Sequence, residues 1–143
     1  MISPFVLYDP AEWLDATMVH EAVHVATNAP CTRPDQALNW AVEGLAESVT
    51  ARTYPATAAD NRTVLRAYLR DNPMPEGLPT ELDDLASYAL AQLAVDEVRA
   101  HLGEKADDLL ERAIHQSGSV TPAELRRVTQ WYLSALRRIA ATP

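Results

Sequence analysis

The sequence predicts a mainly α-helical protein, a compact bundle of about six helices with at most one short N-terminal strand. Apolar residues recur at intervals of three and four along most of the chain, helix-start and helix-stop signatures separate these segments, and one short run favours a strand. The chain has 143 residues, of which 48% are hydrophobic. This is enough for one domain with a core and too little for two comfortable ones, so we predict a single domain over residues 1–143.

The N-terminal part of the chain contains the predicted strand and the start of the first helix. Residues 5–8 are apolar and β-prone, so they are expected to form an edge strand, an arm, or part of a sheet between copies of the chain. Asp9 is then a helix N-cap, Pro10 suits the first helical position, and Glu12 completes a capping box. The first helix is expected to run from about Pro10 to Thr27.

Within this first helix, an apolar stripe predicts the side that enters the core. Its members, spaced by four, four and three, are Leu14, Met18, Ala22 and Val25. His20, Glu21 and His24 lie to one side of the stripe. We therefore expect these three polar side chains to border the core.

Five further helices are predicted from the same periodicity. Their approximate limits are residues 35–52, 58–69, 80–103, 104–115 and 121–139. Turn-forming residues 28–34 separate the first two helices, and the proline-rich residues 71–79 separate the third from the fourth. The short first connection favours antiparallel packing of the first two helices.

Capping signals define the ends of the later helices. Thr80 with Asp83 resembles a helix start, and Gly103 a helix stop. Thr121 with Glu124 is the clearest capping box in the chain and opens the last helix.

Composition and charge exclude two classes of partner. The chain has 20 acidic and 12 basic side chains and a formal net charge of −8, so it offers nucleic acid and anionic membrane surfaces no electrostatic attraction. No apolar segment approaches the roughly twenty residues needed to span a bilayer. Cys31 is the only cysteine, and no signal-like run follows Met1. We therefore predict a cytoplasmic protein.

Three residues of the first two helices form a candidate metal site. His20 and His24 are four residues apart, so their imidazoles project from the same face of a helix. Antiparallel packing would bring Glu43 of the second helix toward this pair. Two imidazoles and a carboxylate suit one Zn²⁺ ion and leave its fourth position for water. His20, His24 and Glu43 are therefore the predicted ligands.

Neighbouring side chains suggest hydrolytic chemistry. Glu21 would take a proton from the water that the ion activates and pass it to the leaving group. Glu47, one turn beyond Glu43, could accept a hydrogen bond from the second ring nitrogen of a ligand histidine. A donor for the developing oxyanion is also needed, and the side chains of suitable type are Tyr54, Tyr88, His101, His115 and Tyr132.

The spacing of these residues resembles that of a known family. Residues 20–24 match HExxH, and after eighteen intervening residues comes Glu43, within the segment Trp-Ala-Val-Glu-Gly-Leu-Ala-Glu at residues 40–47. This is similar to the gluzincin zinc metallopeptidases, with HExxH, eighteen residues, then the glutamate of a Trp-x-x-Glu-Gly-x-Ala segment, and most of all to their aminopeptidase-N-like and related small peptidase members. The resemblance implies a zincin-like pair of metal helices and one zinc ion.

The resemblance also implies a catalytic tyrosine. In these enzymes a tyrosine after the glutamate ligand begins a Tyr-x-x-Gly helix, and residues 87–91 are similar, with Ala91 in place of the glycine. Tyr88 would then be the oxyanion donor. The Gly-Ala-Met-Glu-Asn-like segment that binds a substrate's free amino terminus has no equivalent before His20, so aminopeptidase specificity is not implied.

Together these features predict a zinc-dependent hydrolase that cleaves an amide bond in a peptide or peptide-like substrate. A non-peptide amide or ester in small-molecule biosynthesis would suit the same chemistry. The alternative from another class is a zincin-like binding or regulatory module without catalysis. A homo-oligomer is a further expectation, in which residues 5–8 help to complete a cleft between copies.

Overall fold

A computed structural model describes residues 10–28 and 38–142, which form a helical bundle. Its helices are α1 Pro10–Ala26, α2 Asn39–Thr53, α3 Pro55–Asp71, α4 Leu85–Leu102, α5 Ala106–His115 and α6 Pro122–Ala140. The described ranges contain no strand, and none of their helices is long and apolar enough to cross a membrane. The predicted mainly α-helical bundle is confirmed. The predicted strand at residues 5–8 and the predicted cap Asp9 lie outside the described residues.

The second and third helices begin at other residues than predicted. α2 begins at Asn39, because Leu38 has extended backbone angles, with φ −94° and ψ 111°. α3 begins earlier than predicted, at Pro55. Proline suits this first helical position, since its fixed φ is helical and its missing N–H would have no partner there.

The start of α4 corrects the predicted cap. Asp84, not Thr80, is the N-cap, and its carboxylate accepts a hydrogen bond of 2.7 Å from the backbone N–H of Ser87. Ser87 Oγ accepts in return from the backbone N–H of Asp84 at 3.1 Å. The predicted stop at Gly103 is confirmed, since α4 ends at Leu102 and Gly103 has a φ of +54°.

The predicted capping box at the start of α6 is confirmed. Thr121 Oγ1 accepts from the backbone N–H of Glu124 at 3.2 Å, and the Glu124 carboxylate accepts from the backbone N–H of Thr121 at 2.8 Å. Arg112 of α5 donates a further hydrogen bond of 2.8 Å to this carboxylate. These hydrogen bonds, that from Arg112 first, lower the pKa of Glu124 to about 2.

Helix α4 is at the centre of the bundle and packs against α2, α3, α5 and α6. Its contact with α2 depends on Gly44, because a Cβ at this position would overlap the carbonyl group of Ala91 and lie 2.8 Å from Cγ2 of Val95. Ala91 and Val95 are fully buried. The close approach brings the acidic face of α2 toward Tyr88 on α4.

Helix α1 packs against α2 through a different face from the one predicted. The residues of the predicted apolar stripe are all exposed, at 54%, 62% and 76% for Leu14, Met18 and Val25, with Ala22 exposed as well. That prediction is wrong. The imidazoles of His20 and His24 pack against α2 instead, because the carboxylates of α2 bind them.

Candidate metal centre

The three predicted ligand atoms converge at the contact between α1 and α2. Nε2 of His20 and Nε2 of His24 are 3.0 Å apart, and each lies 3.2 Å from Oε2 of Glu43. Atoms at the corners of a tetrahedron about 2.0–2.1 Å from a zinc ion are separated by about 3.3–3.4 Å. The triangle formed by His20, His24 and Glu43 is therefore close to the size that zinc requires.

The local structure explains this convergence. The four-residue spacing on α1 stacks the two imidazoles, whose ring centroids are 4.8 Å apart. The side chains of His20 and His24 are 15% and 14% exposed, and that of Glu43 is 25% exposed. The three side chains are thus partly shielded from water.

Glu47 orients the first imidazole. Its Oε1 lies 3.0 Å from Nδ1 of His20. A carboxylate can only accept a hydrogen bond, so Nδ1–H donates the hydrogen bond to Glu47. When the ring is neutral, this leaves the lone pair on Nε2, which faces His24 and Glu43. This is the arrangement in which a carboxylate behind a metal-binding histidine sets the ring tautomer.

The charges of the site favour a cation between α1 and α2. Burial lowers the pKa of His20, but the hydrogen bonds and negative charges of Glu43 and Glu47 outweigh it and raise this pKa to about 9. Burial raises the pKa of Glu43, and the two histidines reverse this and lower it. Without a metal, a proton on His20 supplies the positive charge. A divalent cation suits the same position.

Tyr88 lies beside these residues on α4. Its ring centroid is 6.3 Å from that of His20, and the rings are tilted by 56°. Partial burial raises the pKa of Tyr88, and the negative charges of Glu43, Glu47 and Glu21 raise it further. The phenol therefore keeps its proton at neutral pH and can donate a hydrogen bond.

Glu21 has a different environment from the acidic residues of α2. Its side chain is exposed, and it has no hydrogen-bond or ion-pair partner within residues 10–28 and 38–142. Its charge nevertheless acts on the Tyr88 phenol. The carboxylate is thus close to the site and available to a water molecule.

Two of the other candidate oxyanion donors, Tyr132 and His101, lie elsewhere in the bundle. Tyr132 is fully buried in the core, and His101 stacks on Trp131 with ring centroids 4.4 Å apart. Tyr88 is therefore a better candidate donor than either of them.

Two polar residues that were not predicted from the sequence, Asn61 and Gln92, lie behind the site. Nδ2 of Asn61, on α3, donates to Oε2 of Glu47 at 3.2 Å and to Oε1 of Gln92 at 2.6 Å. Nε2 of Gln92 donates to Oδ2 of Asp96 at 3.1 Å. The sequence offers one indication that Asn61 has a side-chain partner: asparagine is unfavourable in a helix interior unless its side chain is hydrogen-bonded.

Comparisons of the chain with protein-family models, curated proteins and solved structures give no significant match.

Proposed function

We propose that this protein is a zinc-dependent hydrolase that cleaves an amide bond in a peptide or peptide-like substrate. The observation that carries the proposal is the triangle of His20 Nε2, His24 Nε2 and Glu43 Oε2, with sides of 3.0–3.2 Å. The resemblance of residues 20–47 to the gluzincin pattern supports the same three ligands. Glu47 adds to the support because it sets the tautomer of His20 that a metal ion needs.

The donor set fits zinc. Neutral imidazole nitrogens and a carboxylate oxygen are ligands that zinc prefers, and three protein ligands are typical of catalytic zinc sites. When bound, the ion supplies Lewis-acid activation of a water molecule and of the substrate carbonyl. His20, His24 and Glu43 would hold it.

Glu21 is the proposed general base. Its exposed carboxylate accepts a proton as water attacks the carbonyl carbon of the substrate. The same carboxyl group then protonates the leaving nitrogen as the carbon–nitrogen bond breaks, which yields a carboxylic acid and an amine. The phenol of Tyr88 donates a hydrogen bond to the oxygen on which negative charge develops.

The proposal is tested by metal analysis and by a pair of matched variants. The purified protein should contain one zinc ion per chain, and Glu21→Gln should retain that ion while hydrolysis falls by about 10²–10⁴-fold, the usual contribution of a general base. Glu12→Gln makes the same change at another exposed position of α1 and should keep full activity. Full activity of Glu21→Gln would refute the role of Glu21, and stoichiometric zinc in a His24→Ala variant would refute the ligand set.

The choice of substrates in this assay separates the alternative functions. Peptides with free and with blocked amino termini, non-peptide amides and esters should be tested side by side. Hydrolysis of peptides supports the leading proposal, and hydrolysis restricted to the other compounds supports a role in small-molecule biosynthesis. Tight zinc binding without hydrolysis of any of them would favour a binding or regulatory module. A cytoplasmic location and a homo-oligomer stay predictions from the sequence.

A further inference from the structure

A second candidate site is a cleft of about 310 Å³ between α3, α4 and α6. Its apolar floor includes Leu65, Ala89 and Ala135, which are 3%, 1% and 2% exposed. None of the proposed zinc ligands lines this cleft. Its volume lies at the lower end of the range found for small-molecule sites, about 300–1,000 Å³. The cleft is therefore large enough for a small organic ligand. It adjoins the back of the metal centre, since Asn61 and Gln92 line it.

Three arginines also line the cleft. Arg62 and Arg66 lie one turn apart on α3, both are exposed, and neither has an ion-pair partner in the described part of the chain. Arg138 comes from α6 and donates a hydrogen bond of 2.8 Å to Oε1 of Glu97. A pair of unpaired guanidinium groups at an apolar cleft is notable in a chain with a net charge of −8.

The acidic residues that line the cleft already have partners. The two carboxylate oxygens of Asp96 accept hydrogen bonds from Ser48 at 2.6 Å and from Gln92 at 3.1 Å. Glu97 pairs with Arg138 through Oε1. Its buried Oε2 lies 3.7 Å from Nδ1 of His101 and has no hydrogen-bond partner among the described residues. Asp96 keeps its negative charge, because Ser48 and Gln92 are neutral donors. The three guanidinium groups and two carboxylates that line the cleft therefore leave an excess of one positive charge, and the N–H donors of Arg62 and Arg66 are available to a ligand.

We infer that this cleft binds a small monocarboxylate with an apolar chain. The carboxylate pairs with Arg62 and Arg66, because the planar guanidinium group offers parallel N–H donors that match the two carboxylate oxygens. The apolar chain lies on the floor around Leu65 and Ala89, where burial of its surface favours binding. A neutral lipid would leave the guanidinium groups unpaired, and a compact hydrophilic anion would leave the floor uncovered.

Titration of the intact chain with sodium octanoate tests this inference. Methyl NMR should show saturable shifts for cleft residues such as Leu65 and Ile139, with and without zinc. The double variant Arg62→Gln/Arg66→Gln should bind octanoate about tenfold more weakly, as expected for two charge-assisted hydrogen bonds at exposed positions. Arg126→Gln/Arg127→Gln makes the same change in net charge at exposed positions of α6 outside the cleft and should leave the affinity unchanged.

Several results would overturn the inference. Equal binding of octan-1-ol would show an apolar groove without charge recognition, and equal binding of acetate would show an anion site without a chain pocket. Equal weakening by both double variants would show a general effect of net charge. Shifts confined to the imidazole signals of His20 and His24 would place octanoate at the metal centre. Because the cleft contains no zinc ligand, each of these results leaves the zinc proposal to its own test.

Discussion

Substitution of Gly44 by alanine tests the close contact that joins the metal helices to the rest of the bundle. Gly44 lies within α2, where helix propensity alone predicts that alanine stabilises the protein by about 1 kcal/mol. The structure predicts the opposite sign. The new Cβ would overlap the carbonyl oxygen and carbon of Ala91 and lie 2.8 Å from Cγ2 of Val95.

The magnitude follows from the nature of these contacts. Added atoms in a packed core destabilise a protein by about 1–3 kcal/mol, and the upper value applies here because backbone atoms of Ala91 cannot rotate away. Subtracting about 1 kcal/mol of helix propensity leaves a net loss of about 2 kcal/mol. For a chain of this length the melting temperature should fall by about 6–8 °C.

Thermal and urea unfolding measure this change, with Gly77→Ala as the control. A Cβ at Gly77 meets no atom within 4 Å, so this variant should unfold almost as the parent does. Because the zinc ligands lie on α1 and α2 and Tyr88 lies on α4, Gly44→Ala should also reduce turnover more than zinc affinity. If Gly44→Ala were as stable as the parent protein or more stable, the close contact between Gly44 and Ala91 would be refuted.

The remaining predictions concern the carboxylates of Glu47 and Glu124 and the phenol of Tyr88. Glu47→Leu removes the acceptor of the hydrogen bond from His20 Nδ1–H and should weaken zinc binding by about 10–100-fold. Competition with a chromogenic chelator measures this affinity, and an unchanged affinity would refute the role of Glu47 in orienting His20. Tyr88→Phe should keep zinc and lower kcat by about 10²–10³-fold with little change in KM, whereas an unchanged kcat would exclude the phenol as oxyanion donor. Hydrogen bonds, above all that from Arg112, lower the pKa of Glu124 from 4.5 to about 2, so its stabilising contribution is complete above about pH 4.5 and is lost as the pH falls toward 2. Urea unfolding between these pH values should therefore show a shallower loss of stability in Glu124→Gln than in the parent, and parallel curves would contradict the assignment.

The helices could be predicted because their signals are local. Spacings of three and four residues and the Thr121–Glu124 capping box depend on residues that are neighbours in the chain. The start of α4 was harder, since Thr80 with Asp83 has the spacing of a helix start and yet Asp84 is the cap. The actual start depends on Ser87, whose hydroxyl accepts hydrogen bonds from the backbone N–H groups of Asp83 and Asp84.

The orientation of α1 could not be predicted from its apolar residues. Met18 and Val25 fit the period of a buried face, yet they are 62% and 76% exposed. The side that packs is determined by carboxylates on another helix, and one helix's periodicity contains no information about them. The hydrogen bonds of Asn61 could not be predicted for a similar reason, because its partners Glu47 and Gln92 lie on two other helices.

The contact between α1 and α2 links metal binding to the docking of α1. Imidazoles and carboxylates join the two helices, with His20 bonded to Glu43 and Glu47 and His24 bonded to Glu43. Two carboxylates facing neutral imidazoles need a positive charge between them, which either a proton or a divalent cation supplies. If a cation binds only when α1 is docked against α2, cation binding and docking are linked. The free energy by which the bound cation stabilises the docked state then equals the free energy by which docking strengthens cation binding. The exposed residues of the predicted apolar stripe add little to this contact, so the charge held at the site contributes to the docking of α1.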